Sequence, residues 1–188
     1  MDTKTKKLST VSMVLCGMFA ALVAIGAFIQ IPVPYMDYFT LQFFFVLLAG
    51  LILGADKGAI SVGCYVLLGL VGVPIFAAGG GIGYIFRPSF GYLVGFFVSA
   101  YVTGKVCEKL KASYKNYLLA CLAGFVVTYA IGIVYKFIIL NFYAHTPATL
   151  GVIFLSCFPL DMPGDFVLCL LAAGVGLRMR KSGFYLSE

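Results

Sequence analysis

Five ionisable residues carry the chemistry available to this chain: Asp37, Arg87, Lys136, Asp161 and Asp165. Each interrupts or borders a long apolar stretch. There a charge is costly unless it meets a partner or a ligand, so such residues mark function by default. Asp161 and Asp165 are four apart and repel if both are ionised side by side, so one of them faces a partner or a ligand. Two other uses compete. The three acids and two bases can partly neutralise one another. Asp165 follows Pro163-Gly164, where a carboxylate can also cap a helix start. Aromatic residues surround these charges: Tyr35, Tyr38, Phe39, Phe43, Phe44, Phe76, Tyr84, Phe86, Phe90 and Tyr92. Some suit an interfacial belt. Together with the Gly-rich run around Gly80 they also suit a pocket for a compact, partly apolar molecule. A cation at one end of that molecule would meet a carboxylate, and a carboxylate at the other would accept from N–H groups.

Other chemistries find little support. Gly79, Gly80, Gly81 and Gly83 lack the Gly-Lys-Ser/Thr and the strand–helix setting of a phosphate loop. They fit a loop packed closely on a ligand or on helix ends. Six scattered cysteines without a Cys-x-x-Cys pair indicate neither a disulfide framework nor a metal site. His145 stands alone and makes a poor metal ligand. No Ser/Lys, paired-Asp or His-metal constellation suggests catalysis. The reading is therefore no catalytic residue, no metal and no cofactor.

The elements that must position these residues are membrane helices. Of 188 residues, 62 % are hydrophobic and 11 % charged, against about a quarter charged in a soluble domain. That excludes an independent soluble enzyme, a disordered regulator and a nucleic-acid binder. Uncharged apolar stretches long enough for a bilayer predict one all-α domain, 1–188, with six spans near 9–30, 38–55, 58–73, 88–104, 117–140 and 163–178. Asp56 and Lys57 form a polar turn between the second and third. The first reads as an uncleaved helix, since no small-residue cleavage site stands out. Residues 150–160 are apolar but too short to span, so they form a half-helix or a buried part of a loop. Between Asp165 and Arg178 lie 12 uncharged residues, about 18 Å of helix. This short span puts Asp165 inside the bundle.

With the N-terminus inside, 11 of the 13 basic residues fall on inner segments and only Arg87 and Lys136 do not. Both termini are then cytoplasmic, and the net charge of +6 is mostly a topology signal. All five exceptional charges fall on the outer half. Ala20/Ala24 and Gly91/Gly95 have the small-xxx-small spacing of close helix contacts. They serve internal packing or an external partner helix. Nothing here drives transport: there is no nucleotide motif and no two-halves symmetry.

Several stretches resemble the BioY family, the biotin-binding S component of energy-coupling factor (ECF) transporters. They are Gly26-Ala-Phe-Ile-Gln-Ile-Pro-Val-Pro34, Thr40-Leu-Gln-Phe-Phe-Phe-Val-Leu-Leu-Ala-Gly50, Gly58-Ala-Ile-Ser-Val62, residues 67–80, residues 83–96 and Phe158-Pro-Leu-Asp-Met-Pro-Gly-Asp165. Order and spacing match as well. The resemblance implies a six-helix S-component bundle in a prokaryotic cell membrane, covered on its outer face by the loops after helices one and three. It implies biotin as ligand and, as partners, a transmembrane coupling protein with two cytoplasmic ATPases. It points to Ala20 and Ala24 as the coupling-protein contact. Asp165 would accept the ureido N–H groups, and Gln42 or the backbone around Gly80 would donate to the ureido carbonyl. Phe76, Tyr84 and Tyr92 would hold the fused rings. Arg87 would bind the valerate carboxylate bidentately, with Lys136 second. The chain departs from the family pattern at Leu168, where many members carry Lys, and at Arg87, where many carry Gly. Two readings compete: an S component for another vitamin (thiamine or riboflavin), and a ligand-free membrane assembly protein.

Overall fold

The computed structural model describes residues 9–31, 39–144, 146, 148–157 and 161–183. Asp37, Tyr35, Tyr38, His145 and residues 158–160 lie outside them. Helix α1 (Thr10–Phe28) starts at Ser9, whose side chain accepts from the Ser12 N–H at 3.2 Å. That cap satisfies one of the free N–H groups of the first turn. Cys16, Phe19, Ala20, Val23 and Ala27 recur at helical spacing and face the core, while Val11, Val14, Met18 and Ile25 face outward. A helix apolar on both faces is what a bilayer requires.

A two-stranded hairpin follows, β1 (Gln30–Ile31) and β2 (Phe39–Thr40), paired Gln30 to Thr40 and Ile31 to Phe39. The second expected span thus begins late, because Phe39 and Thr40 are strand. Helix α2 (Gln42–Leu53) buries ten of its twelve residues. At about 18 Å it is a core helix and too short to cross alone. The chain reverses at Gly54 (φ +83°) into α3 (Ala55–Val71). The expected turn at Asp56 and Lys57 is therefore displaced: both residues lie in α3, and the turn is made where only glycine adopts the backbone cheaply. Gly54 offers no capping side chain, and Glu108 on α4 accepts from the Ala55 N–H at 2.8 Å instead.

Past α3, a 3-10 turn (Ile82–Phe86) leads into α4 (Phe90–Lys109). Helix α5 (Tyr114–Ile138) continues through a π turn (Ile139–Tyr143). Gly91 lies under Tyr135, and a Cβ on Gly95 would come within 3.0 Å of the Thr128 backbone. The Gly91/Gly95 pair thus serves packing of α4 on α5 within the chain.

Helix α6 (Leu150–Cys157) is the half-helix that the short apolar run allowed. Helix α7 (Asp161–Lys181) has 21 residues. It is longer than its uncharged stretch because the charged residues at both ends are also helical. Pro163 fits its first turn, where backbone N–H groups need no helical acceptor.

Among the described residues are seven α-helices, and four (α1, α4, α5 with its π turn, and α7) are long and apolar enough to cross a membrane. Ala20 lies on the inner side of α1. It is 8 % exposed and packs in the core, with Ala24 half-buried against it, while the neighbouring Gly17 and Ala21 face outward.

Candidate functional site

The end of the bundle that gathers the hairpin, the 3-10 turn and the first turns of α4 and α7 holds a cavity of about 450 Å³. That volume lies in the range of small-molecule sites. Phe43 from α2, Tyr92, Leu93 and Phe96 from α4, and Tyr129 from α5 line it. Phe43 stacks on Phe96 with ring centroids 5.8 Å apart, and Phe125 meets Tyr129 at 4.7 Å. Tyr92 meets Tyr129 edge-on at 5.8 Å, its ring lying over Gly132, where any side chain would collide with it.

Polar groups enter this aromatic wall at separated places. Asp165 on α7 is 9 % exposed, and its Oδ2 accepts a 2.8 Å hydrogen bond from Tyr129 Oη. Asp161, one turn earlier, also lines the cavity. Lys136 stands seven residues beyond Tyr129 on the same face of α5, about 10 Å along the axis at about 1.5 Å per residue. Its Nζ donates to Ser156 Oγ on α6 at 3.5 Å, and among the described residues no ion pair joins it to Asp165. From α2, Gln42 is 3 % exposed, and its Nε2 has no hydrogen-bond partner among the described residues. A buried donor left unmatched costs about 1–3 kcal/mol, which a ligand carbonyl would recover.

Of the expected site residues, Asp165, Gln42, Tyr84, Tyr92 and Lys136 line this one cavity. Arg87, Phe76 and Gly80 do not. Arg87 is exposed, with its guanidinium carbon 5.3 Å from the Tyr84 ring centroid, one layer outside the lining. Phe76 is 1 % exposed and wedged between Tyr65 and Tyr84, at 5.5 and 4.6 Å. It supports Tyr84 from behind. Gly80 packs on the Val73 carbonyl and Gly81 N–H donates to Gly69 O at 2.7 Å. The Gly-rich run is therefore packed on the end of α3.

Tyr129, Leu93 and Phe96 line the cavity without having been named for the site from the sequence, and of these Tyr129 carries the polar contact. The signal was present: Tyr129, Gly132 and Lys136 share one face of α5 at helical spacing, so the lysine marked the face that the tyrosine occupies. Ser156 and Cys157 were missed too, because they contact the cavity only through Lys136 and Tyr92.

The chain is similar to known proteins along nearly its whole length. The model of the BioY family matches residues 1–183. A probable biotin transporter BioY of Lysinibacillus sphaericus is 40 % identical over 177 residues, which are 94 % of this chain and 90 % of that protein. The biotin transporter BioY of Thermotoga maritima is 38 % identical over 169 residues, 88 % of this chain and 93 % of that protein. Among solved structures, the crystal structure of the S-component for biotin from an ECF-type ABC transporter superposes with a TM-score of 0.82 at 25 % identity. That match covers 98 % of this chain and 97 % of that one. Every helix around the cavity falls inside the matched residues, and on that extent of agreement the chain belongs to the BioY family.

Proposed function

We propose that this chain captures biotin at the outer face of a prokaryotic cell membrane, as the S component of an ECF-type importer. The carrying observation is the spacing of Asp165 and Lys136 along one aromatic cavity. Biotin has a ureido ring with two N–H donors and a carbonyl, fused to an apolar ring with a carboxylate on a four-carbon chain. Tyr129 occupies Asp165 Oδ2 and leaves Oδ1 to accept from the ureido N–H groups. Each such charge-assisted contact contributes about 1.5–3 kcal/mol. Gln42 Nε2 donates to the ureido carbonyl, and Tyr84, Tyr92, Phe43 and Phe96 enclose the fused rings. Lys136 receives the carboxylate. Its place in the cavity lining favours it over Arg87, and it supplies a point charge where Arg would supply a fork.

The coupling module consists of a transmembrane partner and two cytoplasmic ATPases. Its contact lies on the outward face of α1, since Ala20 is turned into the core. Both termini lie in the cytoplasm, a reading supported by the placement of 11 of the 13 basic residues. The chain itself carries no chemical step.

Isothermal titration of the detergent-purified protein tests the reading. Biotin binds at micromolar concentration or below, and excess thiamine or riboflavin does not displace it. Absence of biotin binding at those concentrations overturns the assignment.

A further inference from the structure

Helix α6 is eight residues long and leaves Leu150, Val152, Phe154 and Leu155 exposed. Only Ile153 and Cys157 are buried from it. Its last two residues nevertheless reach two different walls of the cavity. Ser156 Oγ donates to the Ile153 carbonyl at 2.7 Å and accepts from Lys136 Nζ at 3.5 Å. Cys157 Sγ lies 3.0 Å from Tyr92 Oη. A serine hydroxyl has one proton and two lone pairs. The Lys136 ammonium can only donate, so the hydroxyl accepts from it, and the one hydroxyl proton goes to the Ile153 carbonyl.

Lysine needs such a restraint. Its ammonium rides on a flexible four-carbon stem and carries no built-in geometry. One long contact to Ser156 restricts that stem while leaving the remaining N–H groups for an incoming anion.

We infer that Ser156 is a positioning residue for Lys136: docked α6 holds the ammonium where a ligand carboxylate at the far end of the cavity meets it. This rests on Lys136 as the carboxylate partner of biotin. Ser156 itself touches no ligand and acts through the lysine, so its contribution is confined to ligands that carry the negative charge.

Paired titrations with biotin and its uncharged amide, biotinamide, separate the possibilities in the full-length purified protein. Ser156→Ala weakens biotin about 5- to 10-fold and leaves biotinamide within about twofold. Ser156→Thr, which keeps the hydroxyl, retains most of the biotin affinity. Lys136→Met removes the preference for biotin over biotinamide. If Lys136→Met is selective but Ser156→Ala weakens both ligands equally, or neither, the positioning role is overturned and the lysine assignment stands. If Lys136→Met treats the two ligands alike, the lysine assignment fails, and the positioning role falls with it.

Discussion

Tyr129 on α5 donates a 2.8 Å hydrogen bond to Asp165 on α7, joining two helices at the wall of the cavity. The bond does two things at once. It pairs a buried carboxylate that would otherwise be costly, and it holds that carboxylate in one orientation. Tyr129→Phe removes the bond and keeps the ring. Biotin affinity falls about tenfold or more, as expected for a hydrogen bond to a charged group, while the protein remains folded by size-exclusion chromatography. Unchanged affinity in that variant would detach Tyr129 from the site.

Asp165→Asn keeps the shape and one acceptor but removes the charge. Affinity for biotin drops further than in Tyr129→Phe, because both ureido N–H groups lose a charged acceptor. The readout is titration beside a thermal unfolding curve. A loss of melting temperature with no loss of affinity would make Asp165 a purely structural helix-start residue.

Arg87→Ala is expected to leave biotin affinity within about threefold. Its guanidinium stands over Tyr84 outside the cavity, and an exposed cation–π contact is worth about 0.5–1 kcal/mol. A large loss of biotin binding with biotinamide unaffected would return the carboxylate role to Arg87.

Gly164 lies against the ring of Phe39, whose nearest atom would stand 2.5 Å from a Cβ added there. Gly164→Val therefore displaces the hairpin residue that lines the cavity next to Asp165. Overpacking of this kind costs about 1–3 kcal/mol, so both melting temperature and biotin affinity fall. Full affinity in Gly164→Val would mean that the Phe39 contact does not shape the site.

Glu108 supplies a contrast at the opposite end of the bundle. Glu108→Ala uncaps the Ala55 N–H and costs about 1 kcal/mol of stability. Glu108→Gln keeps an acceptor and restores most of it. Neither changes biotin affinity, and a change of more than about twofold would show that the two ends communicate.

Much of this architecture is legible in the sequence alone. Apolar stretches of bilayer length pointed to a helical membrane protein, because lipid demands such stretches irrespective of packing. Charge in such stretches singled out Asp37, Arg87, Lys136, Asp161 and Asp165, because burial of charge is costly enough to be rare, and Lys136, Asp161 and Asp165 line the cavity. The family resemblance rested on linear order and spacing, which need no fold to be read.

The remainder depended on contacts between distant segments. Gly54 rather than Asp56 makes the α2–α3 turn because the backbone there takes φ +83° and α4 supplies the missing cap. Ala20 faces inward because the core stripe of α1 includes it. As isolated cations Arg87 ranked ahead of Lys136, because its fork can hold a carboxylate bidentately. Only the packing of α4, α5 and α6 turned one onto the outside of Tyr84 and the other into the cavity beside Ser156. Sequence by itself determined which residues were too costly to leave unexplained. Tertiary structure decided which of them share a site, since three-dimensional proximity between helices far apart in the chain has no linear signature.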